Sequence, residues 1–273
     1  EEGDPETWRK VQPHLGVTVY EDFYKSEYQK ALYSADDALE FRTKLLNIFA
    51  SNSATTWIEA KQIEERFKKV QIENITSKPP TMVGVDLSVR DDFSTVTYNL
   101  YSIDSKSFHS YTDYYFPEGA LEKHPNCELY KGWVKAGYLK LCKGDIIDYQ
   151  QIVDDILKKA NNLCIMGIGY DPYKSAEFVN LLSSSVGGEA DIINPVKQTY
   201  GTFTSPVESF EIAVYSNKIS FDPNPITPYC FANAVLDEDR NCNKKPIKKT
   251  HNAKIDSTIT NLMTFHLFNN LTS

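Results

Sequence analysis

Apolar and polar positions alternate in two regimes along the chain. In the first part, apolar residues recur at helical spacing over residues 21–28 and 38–46, and a third helical stretch is predicted near 59–69. Ser77-Lys78-Pro79-Pro80 then breaks the pattern. The break predicts a boundary between a helical arm, residues 1–80, and a separate domain, residues 81–273. From Thr81 the pattern turns to strands. Residues 81–87 and 94–101 read as strands joined by a turn at Arg90-Asp91-Asp92, and 108–116 as a third. Short strands are predicted at 138–142, 163–170 and 192–196. Helices are predicted at 149–160, 174–182, 206–217, 228–235 and 253–268, with Gly187-Gly188 in a loop. A hairpin followed by alternating strands and helices predicts an α/β fold, a mixed central sheet flanked by helices.

Three acids sit where the pattern changes. Asp86 ends the apolar run Met82-Val83-Gly84-Val85, Asp171 ends Cys164-Ile165-Met166-Gly167-Ile168-Gly169-Tyr170, and Asp256 opens the last amphipathic segment. Each has an adequate structural reading alone. A strand-end Asp forms turns, Asp171-Pro172 is a turn signal, and Asp256 stands where an acid favours a helix start. Their joint placement points further, because charge at the end of a buried strand is costly unless water, hydrogen bonds or a cation compensate. Two strand-end carboxylates and one at a helix start can converge on one sheet edge. A two-metal phosphodiesterase site needs such convergence, with cations about 4 Å apart on shared oxygen ligands. Three carboxylates suit Mg²⁺ or Mn²⁺ better than Zn²⁺. Asp91 and Asp92 read either as turn residues or as an extra ligand.

The composition narrows the picture. The chain has 273 residues, 41% apolar and 24% charged, which supports a packed core. No apolar run is long enough for a membrane span. No signal peptide follows the acidic start, and the missing initiator Met points to a fragment of something longer. The five cysteines are odd in number and lack CxxC spacing, which argues against a disulfide framework or a zinc ribbon and for free thiols. A net charge of −8 counts against a nucleic-acid binder, although acids gathered at a metal site contribute to it. Lys244-Lys245-Pro246-Ile247-Lys248-Lys249 is a local basic stretch, either solvated surface or a nucleic-acid contact.

At these motifs the chain resembles the nuclease domain of tailed-phage large terminase subunits of the HK97-like type. The resemblance rests on Val83-Gly84-Val85-Asp86-Leu87-Ser88 with Asp91-Asp92-Phe93-Ser94, Gly137-Tyr138-Leu139 with Asp148-Tyr149, Gly169-Tyr170-Asp171, and Lys254-Ile255-Asp256. Asp4-Pro5-Glu6-Thr7-Trp8 and Glu40-Phe41-Arg42-Thr43-Lys44-Leu45-Leu46-Asn47 resemble the segment joining that family's ATPase to its nuclease. The resemblance implies an RNase H-like fold and a metal-dependent endonuclease that cuts concatemeric double-stranded DNA during viral genome packaging in the host cytoplasm. It implies two Mg²⁺ or Mn²⁺ ions on Asp86, Asp171 and Asp256, with Asp86 shared. Lys248 and Lys254 become possible DNA contacts. The implied partners are the terminase ATPase domain, the small terminase subunit and the portal. No GxxxxGK[ST] phosphate loop occurs here, so the ATPase is expected outside this chain.

Two other classes compete. An actin-like phosphotransferase shares a related sheet but uses Gly-rich hairpins at ATP phosphates, and no Gly follows Asp86 before Tyr101. A non-catalytic packaging-assembly module would use the acids as caps and some of the 17 tyrosines as a partner surface.

Overall fold

The computed structural model describes residues 3–12, 15–16, 20–32, 41, 45–46, 56–90, 92–173, 175–186 and 191–272. The chain divides into two compact units, 1–55 and 56–273. In the first, α1 (Pro5–Val11) and α2 (Glu21–Ala31) bring Trp8 and Tyr24 into one buried cluster with Phe41 and Leu46. Asp4 caps α1, accepting from the Glu6 N–H at 2.9 Å. The helix expected over 38–46 lies mostly outside the described residues.

The division falls at Thr55/Thr56 rather than at Pro79-Pro80. Prolines punctuate a chain, but burial decides which unit a segment joins. Trp57, Ile58 and Ile63 of α3 (Ala60–Glu64) are buried in the core of the second unit. The stretch expected as a helix over 59–69 ends early because Phe67 bridges to Phe221.

The second unit is built on β1 (Pro80–Asp86), β2 (Ser94–Ser102), β3 (Ser107–Pro117), β4 (Lys140–Cys142), β5 (Cys164–Tyr170), β6 (Ile193–Pro195) and β7 (Ile219–Phe221). The strand order is β4-β3-β2-β1-β5-β6, with β7 on the other end of β3. β1, β2 and β3 run antiparallel in sequence, while β1, β5 and β6 are parallel. This is the RNase H-like arrangement that the resemblance implies. Between these strands lie α4 (Glu118–Leu121), α5 (Cys127–Lys135), α6 (Tyr149–Ala160), α7 (Ala176–Val186) and α8 (Tyr200–Tyr215); α9 (Ile226–Ala232) follows β7, and α10 (Asp256–Thr272) is the last helix. One face of the sheet packs Val83, Val85, Val96 and Tyr98 against α6 and α7. The other packs Met82 against α8, α9 and α10. Strand alternation sends neighbouring β1 residues to opposite faces.

Local chemistry explains several departures from the sequence pattern. Helix α8 starts at Tyr200 because Thr199 caps it, accepting from the Thr202 N–H at 3.2 Å, and Pro206 is carried inside the helix. Helix α9 stops at Ala232, and Ala234–Glu238 form β8, paired antiparallel with β9 (Lys244–Lys248). The lysine stretch is thus a hairpin strand. Helix α4 and strand β7 are too short for periodicity to mark, and helix α5, whose Tyr130 and Trp133 form its buried face, is a further element that the sequence pattern did not predict.

Helix α10 is buried nearly all round yet carries Ser257, Thr258, Thr260, Asn261 and Thr264. A polar seam across the sheet accommodates most of these side chains. Thr97 Oγ1 lies 2.6 Å from Thr260 Oγ1, Asn99 Nδ2 donates to Thr264 Oγ1 at 3.0 Å, and Ser110 Oγ donates to Asn261 Oδ1 at 2.7 Å. Unmade, each buried bond would cost about 1–3 kcal/mol.

Candidate active site

Two backbone features gather the acids. The first is the parallel register of β1 and β5, in which Val85 pairs with Tyr170. Asp86 and Asp171 are the next residues on each strand, so they stand side by side, one strand spacing of about 4.8 Å apart. The second is the approach of α10. A Cβ on Gly84 would lie 2.2 Å from the Thr260 carbonyl oxygen, so the helix backbone rests directly on β1. Two residues along the strand, about 6.6 Å, lead from Gly84 to Asp86. Four residues back along the helix, about 6 Å, lead from Thr260 to Asp256, on the same helix face. Asp86 shares the sheet face of Gly84. Gly167 and Gly169 face Leu267 of α10, and Asp171 continues their alternation. All three acids therefore sit on the α10 face, at the carboxyl end of β1 and β5.

Their environments differ. Asp256 is 6% exposed and its Oδ2 is buried with no hydrogen-bond partner. Burial, with Asp92 and Asp86 nearby, holds its carboxyl well above the usual range. Burial, then Asp171 and Asp92, pushes Asp86 up to about 7. Asp171 is half-buried and fully engaged: Oδ1 accepts from the Tyr173 N–H at 2.9 Å and Oδ2 from Gln198 Nε2 at 2.6 Å. Gln198, in the loop before α8, orients Asp171; no sequence signal pointed to it, because only the fold brings it there.

Asp92 is the fourth member. The loop after β1 is tied by Ser88, whose Oγ accepts from the Asp92 N–H at 3.1 Å and whose N–H donates to Ser94 Oγ at 2.9 Å. Asp92 then turns back toward the acids, between Lys254 Nζ at 2.8 Å and Lys248 Nζ at 2.9 Å. Burial opposes its ionisation, but the two lysines outweigh burial and hold its pKa low. Both lysines singled out for phosphate contact are engaged by Asp92. Asp91 lies outside the described residues.

The donor set is all carboxylate oxygen, which fits a hard divalent cation. The orphaned oxygen of Asp256 and the crowding of like charge around Asp86 are the features that such a cation would relieve. As the side chains stand, no three His, Cys, Asp or Glu among the described residues are close enough to hold one metal ion.

The sheet thus has an RNase H-like arrangement, with Asp86, Asp171 and Asp256 on one face at its carboxyl edge. The family described as "Terminase large subunit, endonuclease domain" matches residues 1–270, and the chain belongs to that family. It is 28% identical over 276 residues to Protein YmfN of Escherichia coli (strain K12), a match covering 95% of this chain and 58% of that protein. The fold matches the crystal structure of the HK97 bacteriophage large terminase with a TM-score of 0.68 and 19% identity, covering 98% of this chain and 55% of that one. The chain thus spans little more than half the length of either. A weaker likeness, TM-score 0.49 and 6% identity, links it to the large terminase nuclease of thermophilic phage G20c with bound magnesium, covering 79% of this chain and 98% of that one.

Proposed function

We propose that this chain is a two-metal-ion endonuclease that cuts concatemeric double-stranded DNA during viral genome packaging, with Asp86, Asp171 and Asp256 as catalytic metal ligands. The observation that carries this reading is the shared placement of the three acids by the Val85–Tyr170 register and the Gly84–Thr260 approach. Asp86, Asp171 and Asp256 would hold Mg²⁺ or Mn²⁺, with Asp86 as the ligand the two ions would share. When bound, such ions activate the attacking water and stabilise the leaving 3′ oxygen. Gln198 holds Asp171 in place, and Lys248 and Lys254 balance Asp92 beside the acids. The N-terminal helical segment acts as the arm from an ATPase domain of a longer protein. The small terminase subunit and the portal are its packaging partners, and the host cytoplasm is its site of action.

Supercoiled plasmid incubated with Mn²⁺, Mg²⁺ or EDTA tests the reading. Nicking or linearisation should require a metal. Losing an outer partner of a metal ligand costs about 10–100-fold, so Asp86→Ala, which removes a ligand, should lose at least about 100-fold. Cleavage in EDTA, or full activity in Asp86→Ala, would refute the assignment. A non-catalytic assembly module draws support from the lack of three acids in one ligand cluster among the described residues. It would be favoured by inactivity with either metal.

A further inference from the structure

A cleft of about 590 Å³ opens beside the acids, between the loop after β1, the turn before α5 and the segment before α10. Among the described residues, its lining carries four cationic side chains, Arg90, Lys123, Lys248 and Lys254, against one carboxylate, Asp92. That excess is local and opposite in sign to the chain's −8. Lys248 and Lys254 already face Asp92. Arg90 and Lys123 are exposed and make no ion pair among the described residues. Unneutralised cations on the wall of a cleft concentrate positive potential and favour an anionic ligand. His251 and Asn252 add polar groups to the same wall. The cleft is continuous with the acids through Asp92, whose charge acts on both Asp86 and Asp256.

Charge is therefore segregated. The sheet edge gathers negative groups suited to cations, and the adjoining cleft gathers positive groups suited to phosphates. We propose that this cleft seats the phosphate backbone of one DNA strand flanking the cut, with Arg90 and Lys123 as its principal phosphate contacts. This assignment rests on the nuclease reading and adds the path that the strand takes to the acids. Such contacts fix position without reading bases. Arg90 and Lys123 project into solvent, so removing either leaves the core intact.

The test is equilibrium binding of a fluorescent DNA duplex in EDTA, where metal-dependent cutting is silent, over a series of KCl concentrations. The proteins are the unmodified chain, Arg90→Ala, Lys123→Ala, the double variant, and Lys106→Asn. Lys106 lies in the β2–β3 turn, at the far end of the hairpin from Asp86, and has φ 47°, which Asn tolerates. Each phosphate contact contributes about 0.9 to the slope of log K against log salt. Each single variant should lower the slope by about that amount, the double variant by about twice as much, and Lys106→Asn not at all. Equal slopes and affinities in all five proteins, or no binding by the unmodified chain at low salt, would overturn the cleft assignment. Plasmid cleavage by the same proteins separates the two readings. Metal-dependent cutting with binding indifferent to Arg90 and Lys123 removes the cleft and leaves the nuclease. Slope loss in the variants without cutting by the unmodified chain removes the nuclease and leaves a DNA-binding cleft.

Discussion

Asp86 holds its proton up to about pH 7, and Asp256 also holds its own beyond the ordinary carboxylate range. An unfolded Asp releases its proton near pH 4. Between those points the folded metal-free protein binds protons that the unfolded chain does not, so its stability falls as pH rises through the window. Asp86→Asn removes one of these groups, and its melting temperature should decline less steeply between about pH 4 and about pH 7. Mn²⁺, which prefers the ionised carboxylates, should restore melting temperature at the upper end, more in the unmodified chain than in Asp86→Asn. Thermal melts across the series check this. A metal-free melting temperature that climbs over the window would contradict the placement of Asp86.

At the scale of elements, the site depends on one glycine. Gly84 allows α10 to lie on β1, and that contact sets how far Asp256 reaches toward Asp86. Gly84→Ala should push the helix outward. Overpacking of this kind costs about 1–3 kcal/mol, read by urea denaturation, and plasmid cleavage should fall with it. Gly201→Ala serves as the comparison, since a Cβ there meets nothing within 4 Å in α8. It should be neutral or stabilise by up to about 1 kcal/mol. Equal stability of the two variants would show that the helix does not rest on Gly84. The β1–β5 pairing is the second element-level condition, because a one-residue slip would send Asp171 to the opposite face.

Across the whole molecule, an acidic body carries a basic cleft next to an acidic edge. Contacts made mainly to phosphates carry little base information. Cleavage by this chain should therefore scatter over many sequences, which sequencing the cut ends from two unrelated plasmids would reveal. A shared consensus at the cut ends would mean that base contacts exist beyond the cleft. Among the described residues, no helix is long and apolar enough to cross a membrane.

Much of this was legible along the chain because it is local. Apolar runs marked β1, β2, β3 and β5, and an acid stood at each decisive end, Asp86 and Asp171 after strands and Asp256 at the start of α10. Periodicity reports which side of an element is buried, and residue type reports what chemistry it can do. Neither reports which distant element lies opposite. The parallel register of β1 with β5, the seat of α10 on Gly84, the hold of Gln198 on Asp171 and the engagement of Lys248 and Lys254 by Asp92 join residues far apart in sequence. The same is true of residues 56–80, whose prolines suggested a boundary but whose Trp57, Ile58 and Ile63 are buried in the sheet domain's core. Those pairings arise from packing and long-range hydrogen bonding, so only the folded chain decided them.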